Sequence, residues 1–194
     1  MGQIIKRKLF RLLALFFPLI YLYYSQKQTI FVSAVVAAVA LIIESLRFYN
    51  PKIKRVIEGV FSPIGKEEET QRISGITYLV LGCFLTVIFF EKLIAIPVLF
   101  CAIFGDVISP FIKGKIKIFR NKSLEGMVAC FLICFLIGVI LINLEILEGL
   151  TLELILVISL LISLFETISL PLDDNLSTPL GVGLISSIIK NLWK

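Results

Sequence analysis

Three consecutive polar residues separate two apolar runs near the C-terminus, in the stretch PLDDNLSTPLG at residues 171–181. Charged side chains cost free energy next to hydrocarbon, so carboxylates at such a place usually mark a site. Asp173 and Asp174 supply two carboxylates and Asn175 an amide. Carboxylates that act with nearby lysines are suited to holding phosphate groups through a divalent metal such as Mg²⁺.

Further carboxylates lie near the ends of other apolar runs: Glu44, Glu125 and Glu166 lie inside such runs, and Asp106 is near the end of another. The chain has no His, which excludes the commonest general base and any zinc site built on histidine. Phosphoryl transfer needs little from the protein beyond positioning and charge neutralisation, which carboxylates, lysines and Mg²⁺ or Mn²⁺ supply.

The elements that must position these carboxylates are long apolar runs. Of the 194 residues, 58% are hydrophobic and 17% are charged, a composition that favours lipid as the solvent for most of the chain. Several runs reach the length that crosses about 30 Å of hydrocarbon as a helix. The seven runs are 9–24, 29–46, 73–90, 93–111, 124–144, 150–170 and 178–192. We therefore predict an all-α, polytopic integral membrane protein with about seven transmembrane helices, forming a single domain over residues 1–194.

The distribution of Lys and Arg predicts the topology. If the seven spans alternate, 15 of the 19 Lys and Arg residues fall on the side that carries the N-terminus and residues 171–177. The other side holds Lys27, Lys92, Lys190 and Lys194. By the positive-inside rule, the N-terminus and the carboxylates are cytoplasmic, and the C-terminus lies on the opposite side.

Residues 53–61 place apolar side chains at helical spacing opposite charged ones, which predicts an amphipathic helix on the cytoplasmic leaflet.

Two stretches, FGDVISPFIKGKIKIFRNKSLEG at 104–126 and ETISLPLDDNLSTPL at 166–180, carry motifs in a specific order. A Gly-Asp pair is followed by a loop with glycine and lysines, then by Lys-Ser-x-Glu-Gly. A Glu and an Asp-Asp-Asn-x-x-x-Pro element follow near the C-terminus, ending at Pro179. In these motifs the chain resembles the CTP-dependent lipid kinases, the family of dolichol kinase, phytol kinase and the CTP-dependent diacylglycerol kinase.

The resemblance implies a site at the cytoplasmic ends of the helices, where cytosolic CTP and the hydroxyl of a membrane lipid can both arrive. Its implied catalytic residues are Asp106, Glu166, Asp173 and Asp174, and its implied metal ligands are Asp106, Asp173 and Asp174. Its implied nucleotide-binding residues are Gly105, Lys113, Lys115, Lys122, Ser123, Glu125, Gly126 and Asn175. The implied cofactor is Mg²⁺ or Mn²⁺, with CTP as phosphoryl donor.

The chain departs from the family pattern at three places. A basic and aromatic N-terminal segment in this family often contains a His, and this chain has Arg11 nearby. The loop after Gly-Asp has Ser109 and Lys113 where the family tends to have Ala and Gly, and Gly114 comes one residue late. These departures bear on substrate preference and on the path of the phosphate loop.

The expected function is a kinase that phosphorylates a polyprenol or phytol-like alcohol, and diacylglycerol is an alternative acceptor. A second alternative is a cytidylyltransferase that forms a CDP-lipid and releases pyrophosphate. A third is a small transporter, which would place ionisable residues near the bilayer midplane rather than at one face. The expected partners are a nucleoside triphosphate, a lipid alcohol and the bilayer, and we expect no nucleic acid.

Overall fold

The computed structural model describes residues 10–49, 73–108, 111–112, 114–119, 122–168 and 172–193. Within these ranges the chain is all-α, apart from a short two-stranded ribbon. A 3₁₀ turn at Leu12–Leu15 leads into the first helix. The helices are α1 (Phe16–Tyr23), α2 (Gln26–Tyr49), α3 (Gly75–Phe89), α4 (Lys92–Ile108), α5 (Leu124–Asn143), α6 (Leu152–Thr167) and α7 (Asp174–Leu192).

The predicted apolar runs correspond to these helices, with one informative shift at the C-terminus. The run at 178–192 becomes a helix that already begins at Asp174, so half of the predicted acidic turn is helical. The predicted amphipathic helix at 53–61 lies outside the described residues. The ribbon pairs β1 (Lys117–Phe119) with β2 (Lys122–Ser123) in antiparallel register, in a segment that the sequence suggested only as a loop.

Local side-chain hydrogen bonds explain where several helices begin. The first backbone N–H groups of a helix lack helical partners, and a Ser, Thr or Asp side chain can accept from one of them. Four helices in the described ranges begin with such a cap, made by Ser74, Ser123, Thr151 and Asp173. Two of these caps lie in motifs that the sequence singled out for nucleotide binding.

Helix α4 is the centre of the bundle. It packs against α1, α5, α6 and α7, and its side chains are buried on most of its circumference. Ala95, Ile96, Val98 and Leu99 have no exposed surface. A helix that is apolar all round belongs inside a bundle, so α4 fixes the positions of the helices around it.

The outer helices present rows of apolar side chains to the outside. On α5, Val128, Leu132, Leu136 and Ile140 are exposed at four-residue spacing. Similar exposed rows lie on the other outer helices: Phe31, Val35 and Val39 on α2, Leu152, Leu156 and Leu160 on α6, and Leu184, Ile188 and Leu192 on α7. By length and composition, two described helices, Gln26–Tyr49 and Leu124–Asn143, could cross a membrane, although buried helices of soluble proteins pass the same test.

The alternation of the helices produces two distinct ends. We call the end with Asp106, Glu166 and Asp174 the acidic end, and the end where α3 joins α4 the opposite end. At the opposite end, Tyr21 donates to the carbonyl of Phe90 at 3.2 Å and Gln26 donates to that of Val87 at 3.0 Å. Lys190 also forms an ion pair with Glu91 there. The carboxylates of the motifs therefore collect at one end of the bundle.

Candidate functional site

A narrow cleft opens at the acidic end, between α3, α4, α6, α7 and the segment before the 3₁₀ turn. It contains about 350 Å³ of space that no atom fills, part of it open to the outside. Its polar lining includes Arg11, Asp106, Glu166, Asp174 and Asn175. Its apolar lining includes Leu79, Cys83, Leu99, Ala102, Ile103 and Pro179.

Arg11 lines one side of the cleft, where it forms an ion pair with Asp106. Arg11 directly precedes the 3₁₀ turn, and Asp106 lies in the last turn of α4. Each side chain is only 16% exposed, so water solvates the two charges poorly and each charge is stabilised by the other. The pair brings a positive charge to a place where a phosphate group could contact it.

Lys122 brings a second positive charge to the same end. Its ammonium group lies 3.5 Å from a carboxylate oxygen of Glu166, at the end of α6. Lys122 belongs to strand β2, directly before α5, so the ribbon fixes the direction from which it approaches. Glu166 is 5% exposed, whereas the Lys122 side chain is 30% exposed and accessible from outside.

The Asp173-Asp174-Asn175 element begins α7 and connects it to α3. Asp173 caps the helix, and its Oδ1 accepts from the backbone N–H of Asn175 at 3.0 Å and from the Asn175 amide at 2.6 Å. The same amide donates to the carbonyl of Gly75 at 3.4 Å. Asp173 and Asn175 therefore shape the first turn that presents Asp174 to the cleft.

Asp174 lies before the apolar run at 178–192, and its surroundings shift the pKa of its carboxyl. Burial raises the pKa of the Asp174 carboxyl above its ordinary value, and the positive charge of Lys122 acts in the opposite direction. The negative charges of Asp173 and Asp106 raise it further. The structure thus brings Asp106, Asp173 and Lys122 within electrostatic range of Asp174.

The α7 helix approaches α3 unusually closely beside the cleft. A Cβ at Gly82 would lie 2.3 Å from the carbonyl oxygen of Asn175, so only glycine allows this contact. Pro179 has no N–H, and the Asn175 carbonyl therefore cannot accept the helical hydrogen bond from residue 179. The proline and the glycine together allow the backbone of α7 to pack directly against α3.

Ser123 and Glu125 hold the loop in front of the ribbon. Ser123 Oγ accepts from the backbone N–H groups of Gly114 and Gly126, each at 3.1 Å. Glu125 Oε1 accepts from the backbone of Lys115 at 2.8 Å and of Ile116 at 3.3 Å. A Cβ at Gly114 would lie 1.8 Å from Glu125 Oε2, so any larger residue here would have to displace the Glu125 carboxylate. These predicted nucleotide-binding residues bind their own loop in this structure.

The remaining predicted nucleotide-binding residues have different surroundings. Gly105 is buried where a Cβ would lie 2.8 Å from Cys130 Sγ, so it provides close packing of α4 on α5. Gly126 donates to the cap of α5. Lys115 is exposed, and Lys113 lies outside the described residues. Their roles toward a nucleotide stay predictions.

The predicted metal ligands do not form a complete metal site by themselves. Among the described residues, no group of three or more Asp, Glu or Cys side chains could hold a metal ion. Mg²⁺ commonly takes one or two carboxylates and completes its shell with water and phosphate oxygens. Asp173 and Asp174 fit that smaller role, whereas Asp106 is paired with Arg11.

Two features of this end were missed in the sequence. Thr178, one turn after Asp174, lines the cleft and is buried. Glu44, predicted only as a carboxylate on this face, accepts from Arg47 at 2.6 Å and from three donors of α3. Those donors are the Ser74 backbone, the Ser74 hydroxyl and the Thr77 hydroxyl, each at 3.0 Å. The spacing of Ser74 and Thr77 after the apolar gap could have suggested a cap but not its partner.

Comparison with known proteins gives similarity without an activity. No protein-family model matches the chain, and no solved structure matches it. The chain is similar to a protein of Rickettsia prowazekii (strain Madrid E) named Uncharacterized protein RP860, with 28% identity over 192 residues. The match covers 94% of this chain and 93% of that protein. The similarity therefore extends over the whole bundle rather than one motif.

Proposed function

We propose that the chain is a multi-pass membrane kinase that transfers the γ-phosphoryl group of CTP to the hydroxyl group of a lipid alcohol. One observation carries the proposal: the cleft collects charged groups from the N-terminal segment, α4, α6 and α7 at one end of an apolar bundle. A site at the bundle end is accessible to a water-soluble nucleotide and to a hydroxyl at the membrane surface. CTP as the donor rests on the resemblance to the CTP-dependent lipid kinases.

The outward apolar rows support a membrane setting for the bundle. In water, rows of exposed Leu, Ile, Val and Phe on α2, α5, α6 and α7 would form extended apolar patches, which soluble monomers rarely tolerate. In a lipid bilayer the same rows would contact hydrocarbon, so no other protein surface has to pack on them. The acidic end would then face the cytoplasm, because alternation of the seven spans assigns 15 of the 19 Lys and Arg residues to that side.

The transfer requires a new bond from the alcohol oxygen to the γ-phosphorus and loss of the bond from that phosphorus to the bridging oxygen. The products are a lipid phosphate and CDP, and the hydroxyl proton passes to a protein carboxylate. We assign this proton to Asp174. Glu166 is paired with Lys122 and Asp106 with Arg11, which leaves Asp174 the best placed acceptor.

The raised pKa of Asp174 supports this role, because a base whose pKa lies closer to the working pH accepts a proton more effectively. Arg11 and Lys122 would neutralise the negative charge that develops on the phosphate oxygens. Mg²⁺ bound through Asp173 would supply further charge neutralisation and order the phosphate groups, while Asp174 accepts the proton.

A labelled-nucleotide assay tests the proposal. The purified protein is incubated with Mg²⁺ and either γ-labelled or α-labelled CTP, together with phytol, a polyprenol or diacylglycerol. We expect the γ-label on the lipid and release of CDP, with loss of transfer when a chelator removes the metal. The α-label on the lipid with pyrophosphate would instead identify a cytidylyltransferase, and no labelled lipid with any alcohol would overturn the proposal.

A matched pair of variants ties the assay to the cleft. Asp174→Asn removes a carboxylate that lines the cleft, whereas Glu91→Gln removes one from the ion pair at the opposite end. We expect transfer to fall only in Asp174→Asn. An equal loss in both variants would place the effect in folding rather than in the site.

A further inference from the structure

The ribbon and the loop before it carry a dense group of positive charges. The sequence of residues 113–122 is KGKIKIFRNK, with five Lys and Arg residues and no Asp or Glu. The last of these cations, Lys122, lies 3.5 Å from Glu166 at the cleft. Lys115 and Lys117 do not line the cleft, and neither forms an ion pair with a described residue. These two lysines are therefore available to anions outside the protein.

Apolar side chains alternate with these lysines. Residues 115–118 are all exposed, and the exposed fractions of Ile116 and Ile118 are 57% and 48%. A free nucleotide could pair with the lysines, but it would leave the isoleucines in water. A membrane surface offers phosphate groups and hydrocarbon at neighbouring depths, so it can contact both kinds of side chain. More large apolar side chains are exposed at the acidic end, namely Phe111, Ile168 and Leu172.

The ribbon is held next to the end of the outward apolar row of α5. The backbone N–H of Leu124 donates to the carbonyl of Ile116 at 2.9 Å. Leu124 precedes Val128, the first exposed residue of the row, by one helical turn. Ile116 therefore lies about one turn, or roughly 6 Å along the helix axis, beyond the row that faces hydrocarbon in the proposed membrane setting.

We infer that the ribbon is a docking surface for the anionic lipid headgroups of the leaflet around the acidic end. Lys115 and Lys117 contact the lipid phosphates. Ile116 and Ile118 lie against the first carbons of the acyl chains. Clusters of about four to eight Lys and Arg residues directly beside a membrane-spanning helix commonly bind anionic lipids. The inference rests on the membrane setting of the proposed function but not on the phosphoryl transfer.

Quenching of tryptophan fluorescence by brominated lipids tests this surface. Ile118→Trp combined with Trp193→Phe places the one tryptophan of the chain on the ribbon, and the full chain is reconstituted into phosphatidylcholine bilayers. Bromine on the acyl chains quenches a tryptophan that it contacts. Compared with brominated phosphatidylcholine, we expect brominated phosphatidylglycerol to show an apparent association constant about tenfold higher for the reporter at position 118 at low salt.

Removing the two lysines should remove the preference for phosphatidylglycerol. Lys115→Gln together with Lys117→Gln should lower the ratio of the two association constants by at least about fivefold. Added salt should also lower the ratio, because it screens exposed charges. The matched control is Lys27→Gln, since Lys27 is an exposed lysine at the opposite end, and it should leave the ratio at position 118 unchanged. All these side chains are exposed, so unfolding in detergent should match that of wild type.

The wild-type chain is the matched reporter control, because its one tryptophan, Trp193, is exposed where α7 ends at the opposite end. Both brominated lipids should quench Trp193 without a comparable preference. Quenching of Trp193 but not of the reporter at position 118 would show that the ribbon does not reach the bilayer. Equal quenching of that reporter by both lipids, or a preference that the lysine substitutions leave unchanged, would equally overturn the inference.

Competition with soluble phosphates separates lipid docking from nucleotide binding. At constant ionic strength, neither CTP nor inorganic phosphate should change the ratio at position 118. Loss of the preference with CTP would assign these lysines to the nucleotide, as the family resemblance implies for Lys115, and would overturn the docking surface.

The outcomes also separate this inference from the proposed reaction. Preferential quenching without phosphate transfer to any alcohol would retain the docking surface and reject the kinase. Transfer without preferential quenching would reject the docking surface and retain the kinase. Absence of quenching at both position 118 and Trp193 would reject the membrane setting and the docking surface with it.

Discussion

Two groups of buried polar residues lie at the acidic end, and they differ in how many of their polar atoms have hydrogen-bond partners in the protein. The carboxylate of Glu44 accepts four hydrogen bonds, three of them from α3, and both Glu44 and Arg47 are less than 10% exposed. In the cleft, burial raises the pKa of Asp174 and the Thr178 hydroxyl lacks a partner among the described residues. Both groups hold carboxylates at helix ends, and in the described part of the chain the Glu44 carboxylate receives donors on both of its oxygens.

The comparison teaches that burial of a carboxylate does not by itself mark a functional site. A buried carboxylate that receives donors on both oxygens fastens helices together, as Glu44 does for α2 and α3. A carboxylate that is held away from water with few donors is energetically costly, and such a cost persists where it serves binding or catalysis. Substitutions in the two groups should therefore have opposite effects on stability and activity.

The largest effect is expected for Glu44→Ala. The change leaves Arg47 with one fewer anionic partner and the donors of Ser74 and Thr77 without their acceptor, so the free energy of unfolding should fall by about 3 kcal/mol. Unfolding in detergent measures this, with Ser45→Ala as the control because Ser45 is exposed on the same helix. Normal stability combined with loss of transfer would move Glu44 into the functional site and remove the contrast.

Asp174→Asn should separate stability from activity. Transfer should fall by at least about tenfold, or roughly 1.4 kcal/mol of transition-state stabilisation, because the amide cannot accept the alcohol proton. The folded protein should be no less stable at neutral pH, since the substitution removes a buried charge. Wild-type turnover in this variant would return Asp174 to an ordinary helix-end residue.

The raised pKa of Asp174 also predicts how the stability difference between Asp174→Asn and wild type changes with pH. Because the folded-state pKa of Asp174 is raised, its protonated form favours the folded state at acidic pH, and that contribution is lost as the pH rises through the folded-state value. Relative to wild type, Asp174→Asn should therefore gain stability from about pH 4, the ordinary Asp range, upward. A gap that shrinks with rising pH would contradict the assigned shift.

Lys122 should give the smallest of the three effects. The side chain is partly exposed and its pair with Glu166 is long, so Lys122→Ala should raise the Michaelis constant for CTP by about fivefold with little loss of stability. Lys122→Arg should recover only part of this, because a guanidinium presents its donors in a different geometry. Steady-state kinetics with varied CTP measures both, and an unchanged constant in Lys122→Ala would remove Lys122 from the nucleotide site.

The sequence predicted the helices and the end at which the carboxylates gather, because apolar runs and charge asymmetry depend only on local composition. It did not predict which polar groups form hydrogen bonds with one another. Ser123 and Glu125 lie in a motif that resembles a nucleotide site, yet they accept hydrogen bonds from backbone groups of Gly114, Lys115, Ile116 and Gly126. These hydrogen bonds form only when the ribbon folds the loop back onto the start of α5, and the sequence does not show that fold.

The same limit applies to α7. The polar stretch before the last apolar run suggested a turn, but the Asp173 cap begins the helix at Asp174. Thr178 appeared as one more small polar residue near a proline. Its burial beside the cleft depends on α3 and α4, which pack against α7, and spacing along the chain carries no information about that packing.

The contact between Gly82 and the carbonyl of Asn175 has a mechanical consequence. The first turn of α7 is attached to α3 twice, by this backbone contact and by the Asn175 amide on the Gly75 carbonyl, while Pro179 weakens its attachment to the rest of its own helix. We therefore expect the turn to follow any displacement of α3. A tilt of α3 against the central α4 would act as a lever that carries Asp174 toward or away from Asp106 without unwinding either helix.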